Sequence, residues 1–112
     1  MSATIIDIAT FTELQDTAGA DFVDELVDTF NEEAPALLAE LRRARDASDA
    51  KAFERAAHSL KSNASTFGAT ALAALARTLE LGSLAAGSDE ALAALADEYA
   101  RVVQALEALR HG

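Results

Sequence analysis

Apolar side chains recur at steps of three and four residues along residues 23–41, so that one face of this stretch is apolar throughout. The members of this stripe are Val23, Leu26, Val27, Phe30, Ala34, Leu37, Leu38 and Leu41. A stripe with this spacing over about five turns predicts a long amphipathic helix, starting near Asp21, that buries one face. Pro35 lies inside the stripe, and because the phase is the same on both sides of it, we expect a kink and not a break.

Capping residues and helix breakers divide the rest of the chain into four more helices. Their predicted ranges are about 10–17, 49–67, 70–82 and 89–109. Thr10, with Glu13 in the capping-box position, predicts the start of the first after an irregular segment 1–9. Either Ser48 or Asp49 caps the third helix of the chain, and Ser88 precedes the last.

Composition agrees with a helical protein. The chain has 112 residues, of which 51% are hydrophobic, and alanine and leucine dominate over strand-forming residues. This length fits a single helical domain over residues 1–112. Helices joined by short connections favour an all-α fold, an up-down antiparallel four-helix bundle with a short extra N-terminal helix.

Charge and composition exclude several classes of function. The net charge of −10 disfavours nucleic-acid binding, because such a chain repels phosphate backbones. No apolar run reaches the roughly 18–20 residues of a membrane span, and the N-terminus does not resemble a signal peptide. The absence of cysteine removes disulfides and thiolate metal sites, and it is compatible with the cytoplasm. We expect a cytoplasmic monomer.

His58 is the most informative polar residue, because the helical phase of residues 49–67 turns it outward. With about 100° of turn per residue, Phe53, Leu60 and Phe67 lie on the core face, and His58 lies about 140° from Phe53. Lys61 is predicted one turn from the imidazole, where a cation can neutralise an anion carried on the ring.

The residues around His58 form a specific set. Ser62 and Ser65 lie close to the imidazole on the wheel, Lys61 lies on one flank of this face, and Arg55 lies on the other. The run 62–66 is rich in poor helix formers inside a predicted helix, a conflict that is found at functional sites. The same pattern is also compatible with an ordinary solvated face, and we keep both interpretations open at this point.

Several site chemistries lack the residues that they need. A di-iron or zinc site requires more histidine or carboxylate ligands than the neighbourhood of His58 supplies. No GxxxxGK[ST] or GxGxxG loop is present to hold a nucleotide. A serine nucleophile would need an oxyanion hole, which a convex helix face does not offer. A carrier role fits better, because a neutral imidazole is a good nitrogen nucleophile near neutral pH.

The segment AAHSLKSNASTFGA, residues 56–69, resembles the signature of histidine-containing phosphotransfer (HPt) domains. Ala57, His58, Lys61, Ser62 and Gly68 match that signature in order, with serine where the family usually has glycine after the lysine. The downstream pair at 79–80 and the segment FNEEAPALLAEL at 30–41 fit the family pattern too. The resemblance covers about residues 22–109.

This resemblance implies a phosphorelay intermediate, a phosphocarrier without catalytic activity of its own. It makes His58 the phosphorylated residue and Lys61 the group that stabilises the phosphoryl charge, while Ser62 leaves room for docking. Gly68 is also a candidate binding residue, although we expect it chiefly to end or bend the helix. Ser65 and Arg55 are added as binding candidates from the helical phase.

The resemblance also implies the partners. These are receiver domains of response regulators, a hybrid histidine kinase, or both. The receiver supplies Mg²⁺, and the chain itself needs no cofactor and binds no metal. The alternative is a helical adaptor, or a degenerate HPt-like domain, that binds a receiver or a kinase through the same face without being phosphorylated.

Overall fold

Five α-helices account for most of the chain in the computed structural model, which describes residues 5–111 except for the side chain of His111. They are α1 (Ile8–Ala18), α2 (Ala20–Asp46), α3 (Ala50–Thr66), α4 (Thr70–Gly82) and α5 (Asp89–His111), with a short 3-10 turn at Ser83–Ala86. No strand occurs between residues 5 and 111. The all-α prediction is confirmed.

Helices α2 to α5 form a closed antiparallel bundle, because each packs on two of the others. The direction follows from the contacts. The ring centroids of Phe30 in α2 and of Phe67, just beyond α3, are 5.4 Å apart. Lys61 of α3 reaches Glu80 of α4, and Arg110 of α5 reaches the start of α2. Helix α1 packs on α2 outside this ring.

The first helix begins earlier than its capping pattern predicts, so the assignment of residues 1–9 as irregular is wrong at its end. Asp7 is the N-cap, and its carboxylate accepts hydrogen bonds from the backbone N–H of Ala9 and the hydroxyl of Thr10. Thr10 therefore supports a cap placed three residues before it. Residues 1–4 of the predicted irregular segment lie outside the described residues.

The remaining helix boundaries agree closely with the sequence. Asp49, and not Ser48, caps α3 by accepting a hydrogen bond from the N–H of Ala52 at 3.1 Å. Helix α2 continues without a break through Pro35, as the unbroken phase of its stripe predicts. Ser88 caps α5 through a hydrogen bond from the N–H of Ala91.

The corner between α3 and α4 is built around Gly68. This residue is buried and has a φ of +77°, a conformation that side chains other than glycine adopt at a cost. Its carbonyl accepts a hydrogen bond from the N–H of Asp7 at 2.8 Å, so the start of α1 lies directly on the corner. A Cβ on residue 68 would meet the Cβ of Thr10 at 2.9 Å. Gly68 thus sets how α3, α4 and α1 meet.

The core fills the space between the helices with aliphatic and aromatic side chains. Its largest fully buried members are Phe53, Leu41, Leu60, Leu72, Leu95, Leu106, Val23, Val27 and Val102. None of the helices in the described part of the chain is long and apolar enough to cross a membrane.

Candidate functional site

His58 points outward from α3, as its helical phase predicts. Phe53 and Leu60 are fully buried and Phe67 is 3% exposed, whereas the imidazole of His58 is 58% exposed. The helical phase that buries Phe53, Leu60 and Phe67 therefore presents His58 on the surface of the bundle.

One carboxylate joins His58 to Lys61. Glu80 of α4 lies opposite both residues, and its Oε2 is 2.8 Å from His58 Nδ1. Its Oε1 accepts a hydrogen bond from Lys61 Nζ at 2.7 Å. A lysine and a histidine three residues apart on α3 are thus bound to the two oxygens of a single side chain from the neighbouring helix.

The position of Glu80 follows from the phase of α4. Its neighbours Leu79 and Ala76 are buried against the bundle, which turns Glu80 to the flank that faces α3. The side chain of Glu80 is 23% exposed and that of Lys61 is 29% exposed, so the pair lies at the edge of the helix contact. At this depth an ion pair is screened less than on an open surface.

The charge state of Glu80 determines the tautomer of the histidine. The hydrogen bond from Lys61, and to a lesser degree that from His58, lowers the pKa of Glu80 below its ordinary value. An ionised carboxylate only accepts hydrogen bonds, so Nδ1 of His58 must carry the proton. In the neutral ring Nε2 then holds a free lone pair, and it is the nitrogen that can act as a nucleophile.

A shallow concavity of about 490 Å³ opens on the N-terminal side of His58. Its walls are formed by Lys51, Glu54, Arg55, His58, Ser59 and Glu80. Arg55 also borders a second hollow, of about 320 Å³, between α2 and α3. Lys61 bonds to α4, and Glu54 accepts a hydrogen bond at 2.5 Å from Ser83 in the 3-10 turn that follows α4. Arg55 lies on the opposite side of His58 from Lys61.

The C-terminal side of His58 is smoother. Ser62 and Ser65 are both exposed, and neither places a bulky group beside the imidazole. The hydroxyl of Thr66 donates to the carbonyl of Ser62 at 3.1 Å, so the hydroxyl bonds back to its own helix. Gly68 lies farther on and is buried under α1, which separates it from the exposed candidates.

The candidates on α3 lie on its outer side, as the helical phase predicts, whereas Glu80 is not among the residues that the sequence predicts for the site. Glu80 is 19 positions after Lys61 on another helix, so its contact depends on how α3 and α4 pack. The available signal was its place in the pair at 79–80. No group of histidine and carboxylate residues suited to a metal ion occurs within residues 5–111.

Known proteins resemble this chain in sequence and in fold. Residues 25–112 match the family model described as Hpt domain. A crystal structure of histidine-containing phosphotransfer protein B (HptB) from Pseudomonas aeruginosa PAO1 is similar over 98% of this chain and 97% of that chain, with a TM-score of 0.87 and 29% sequence identity. A search of curated proteins finds no significant match.

The family model spans more than half of the chain and includes α3 and α4 with His58, Lys61 and Glu80. The similar structure extends the agreement to the whole bundle, including α1. The chain belongs to the Hpt family and is a histidine phosphotransfer protein of phosphorelay signalling.

Proposed function

We propose that His58 is the phosphorylated residue, which accepts a phosphoryl group from an aspartate of one receiver domain and passes it to the aspartate of another. The observation that carries this proposal is the hydrogen bond between His58 Nδ1 and Glu80, which leaves Nε2 free on the exposed side of α3. A nitrogen with a free lone pair on a convex face can attack a phosphoryl group that a partner presents.

In the transfer step a bond forms between Nε2 and phosphorus while the bond from phosphorus to the aspartyl oxygen breaks. The receiver recovers its carboxylate, and no proton has to leave the ring, because Nδ1 keeps its hydrogen. As the lone pair of Nε2 enters the new bond, the ring becomes positive. The carboxylate of Glu80, 2.8 Å from Nδ1, stabilises that charge.

Lys61 supports the negative charge on the phosphoryl oxygens. Its ammonium group has three N–H donors, and one of them is used by Glu80. The other two remain to reach oxygens on a phosphoryl group held at Nε2. Phosphoryl transfer depends mainly on positioning and on charge neutralisation, and one cation held beside the nucleophile contributes to both.

Ser62 and Ser65 leave the approach to Nε2 open, and Arg55 adds a cation on the far side of the ring. Gly68 acts through the fold, by fixing the corner that places α3 beside α4. The receiver brings the acceptor aspartate and the Mg²⁺ ion, so the protein works as a carrier without a cofactor of its own. We also propose that the protein is a cytoplasmic monomer, and its lack of cysteine is compatible with the cytoplasm.

Phosphotransfer from a labelled receiver tests this role. The wild-type protein and His58→Gln are incubated with receiver domains that carry labelled aspartyl phosphate, and label is followed on both proteins. We expect label on the wild type and none on His58→Gln, with unchanged helical content in the variant. Equal labelling of the two would refute the assignment of His58.

Lys61→Ala separates charge stabilisation from folding in the same assay. Lys61 lies at the surface edge of the α3–α4 contact, so the bundle should keep its helical signal while transfer slows by about tenfold. A stable complex with a receiver that never transfers label to wild-type protein would favour the alternative of a helical adaptor.

A further inference from the structure

The charges of this protein are divided between two parts of the bundle. Residues 50–82, which contain α3 and α4, have four basic and two acidic residues, whereas the rest of the chain has five basic and seventeen acidic residues. The face that carries His58 is therefore the least acidic part of a strongly acidic protein.

The basic side chains without an ion pair concentrate on this face. In the described part of the chain, four arginine or lysine side chains take part in no ion pair or side-chain hydrogen bond: Arg42, Lys51, Arg55 and Arg77. Lys51 and Arg55 line the concavity beside His58, and Arg77 lies one turn before Glu80 on α4. Arg42 alone lies elsewhere, on α2, one turn before Arg45.

Acidic side chains on the same face are already engaged. Glu80 accepts hydrogen bonds from His58 and Lys61, and Glu54 accepts one from Ser83. Residues 50–82 still have four basic and two acidic side chains, so the net charge that they offer to a partner is positive. Lys51 and Arg55 lie in the concavity on the N-terminal side of His58, whereas the exposed Ser62 and Ser65 on the other side are uncharged.

We propose that the concavity lined by Lys51 and Arg55 binds an acidic surface of the receiver domain, and so fixes the direction in which the receiver docks across α3. The inference rests on the proposed function. An acceptor aspartate that works with Mg²⁺ lies among other oxygen ligands, since this ion is bound through carboxylates and water. Such a surface is complementary to unpaired cations on one side of the nucleophile and to small neutral residues on the other.

The receiver repels most of this protein if its own surface is acidic, because the bundle has a net charge of −10. The attraction of the receiver to Lys51, Arg55 and Arg77 then orients the receiver as it approaches, and it also stabilises the complex that forms. The charge pattern would raise the association rate for the productive face relative to all other faces.

Binding of unphosphorylated receiver domains tests the proposal without any transfer step. The probes are purified receiver domains from the same genome, titrated against wild type, Lys51→Gln, Arg55→Gln and the double variant. At about 50 mM salt we expect each single change to weaken binding about threefold and the double change about tenfold. At about 0.5 M salt, where the screening length is about 4 Å, the differences should disappear.

Two further variants make the test specific. Arg42→Gln removes the same charge from α2, outside the concavity, and should leave the affinity within about 1.5-fold of the wild type. Glu54→Gln keeps an acceptor for Ser83 but removes a negative charge from the concavity, so it should tighten binding. Equal effects of Arg42→Gln and Arg55→Gln, or no receiver that binds, would overturn the proposal.

The variant His58→Gln separates this proposal from the assignment of the phosphorylated residue. We expect it to bind receivers as tightly as the wild type while accepting no label. Normal labelling of His58→Gln together with weakened binding of Arg55→Gln would refute the phosphorylation site and retain the docking surface. Loss of label in His58→Gln, with no difference between Arg55→Gln and Arg42→Gln, would refute the docking surface alone.

Discussion

Two pairs of helices in this bundle are joined in different ways. Helices α3 and α4 follow each other in the chain and share the tight corner at Gly68. Helices α2 and α5 are separated by both of them and have no short connection. Their contact is secured by arginines at its two ends.

The two arginines that link α2 and α5, Arg45 and Arg110, are both engaged in ion pairs. Arg45 near the end of α2 donates to Asp89 Oδ1 at 2.5 Å and to the carbonyl of Gly87 at 3.3 Å. Arg110 near the end of α5 donates to Asp28 Oδ1 at 2.8 Å, and its side chain is only 14% exposed. Each arginine links the C-terminal end of one helix to the N-terminal part of the other, which lies beside it in the antiparallel pair.

The polar groups of the α3–α4 pair have a different arrangement. The covalent corner already holds these helices together, so the contact of Lys61 and Glu80 is not needed to bring them side by side. This network includes an imidazole with one nitrogen bonded and one nitrogen free. In this bundle the candidate site lies where the chain itself secures the packing of two helices, and charged groups secure the packing elsewhere.

Breaking the corner should have the largest effect. Gly68→Ala places a Cβ at a φ of +77° and within 3.0 Å of the carbonyl oxygen of Asp7. We expect the free energy of unfolding to fall by about 3 kcal/mol, from backbone strain together with overlap. Chemical denaturation followed by circular dichroism measures the change.

Gly19→Ala is the matched control for the corner. Gly19 has a φ of +94°, but a Cβ there would meet nothing within 4 Å, so only the strain remains. We expect a loss of about 1.5 kcal/mol in this variant. Losses of the same size in the two variants would mean that the contact of α1 with Gly68 contributes nothing to stability.

Removing the carboxylate of the α3–α4 network should alter transfer and spare the fold. Glu80→Gln can still accept from Lys61, but it no longer stabilises a positive imidazole. We expect the rate of phosphotransfer to fall by about tenfold or more, as for other side chains that orient a functional histidine. The rate at saturating receiver measures this, and an unchanged rate would show that Glu80 is structural only.

Removing an arginine of the α2–α5 pair should do the reverse. Arg110→Gln leaves Asp24 and Asp28 without their partner, and we expect the melting temperature to drop by about 4 °C with transfer unchanged. Arg42→Gln, which removes an unpaired charge from α2, should change the melting temperature by much less. Slower transfer in Arg110→Gln at a temperature where it is folded would contradict the division between the two pairs.

The smallest expected effect is a dependence on pH. Hydrogen bonds from Lys61 and His58 lower the pKa of Glu80 below its ordinary value of 4.5. The unfolded chain therefore takes up this proton at a higher pH than the folded protein, so the stabilisation is complete above about pH 5 and is lost as the pH falls through the lowered pKa. Between pH 6 and pH 3 the melting temperature of the wild type should fall further than that of Glu80→Gln. Parallel curves of melting temperature against pH would contradict this.

Local patterns in the sequence were sufficient for the helices and for the exposed face of α3. The stripe at 23–41 and the positions of Phe53, Leu60 and His58 depend only on the turn of a helix, and all of them appear as expected. The sequence predicts the wrong start for α1, because Thr10 and Glu13 fit a capping box. The N-cap is instead Asp7, whose N–H donates a hydrogen bond to the carbonyl of Gly68, about sixty residues later in the chain.

Local sequence patterns do not predict contacts between helices. Glu80 is a candidate site residue only because the packing of α4 on α3 places it beside Lys61. Arg45 is near the C-terminal end of its helix, where a cation is expected for the helix dipole alone, yet its partners are Gly87 and Asp89. Such pairings need the register of two helices, which the spacing of residues within one helix does not contain.

The bonds of Asp7 and Arg110 have a consequence for how the chain can be rearranged. Asp7 contacts the corner at Gly68, and Arg110 contacts the start of α2, whose residue Phe30 lies beside Phe67. The first and last described segments therefore meet the same end of the bundle. A circularly permuted chain, with residues 5 and 111 linked and new termini opened between α2 and α3, would keep the surroundings of His58 intact.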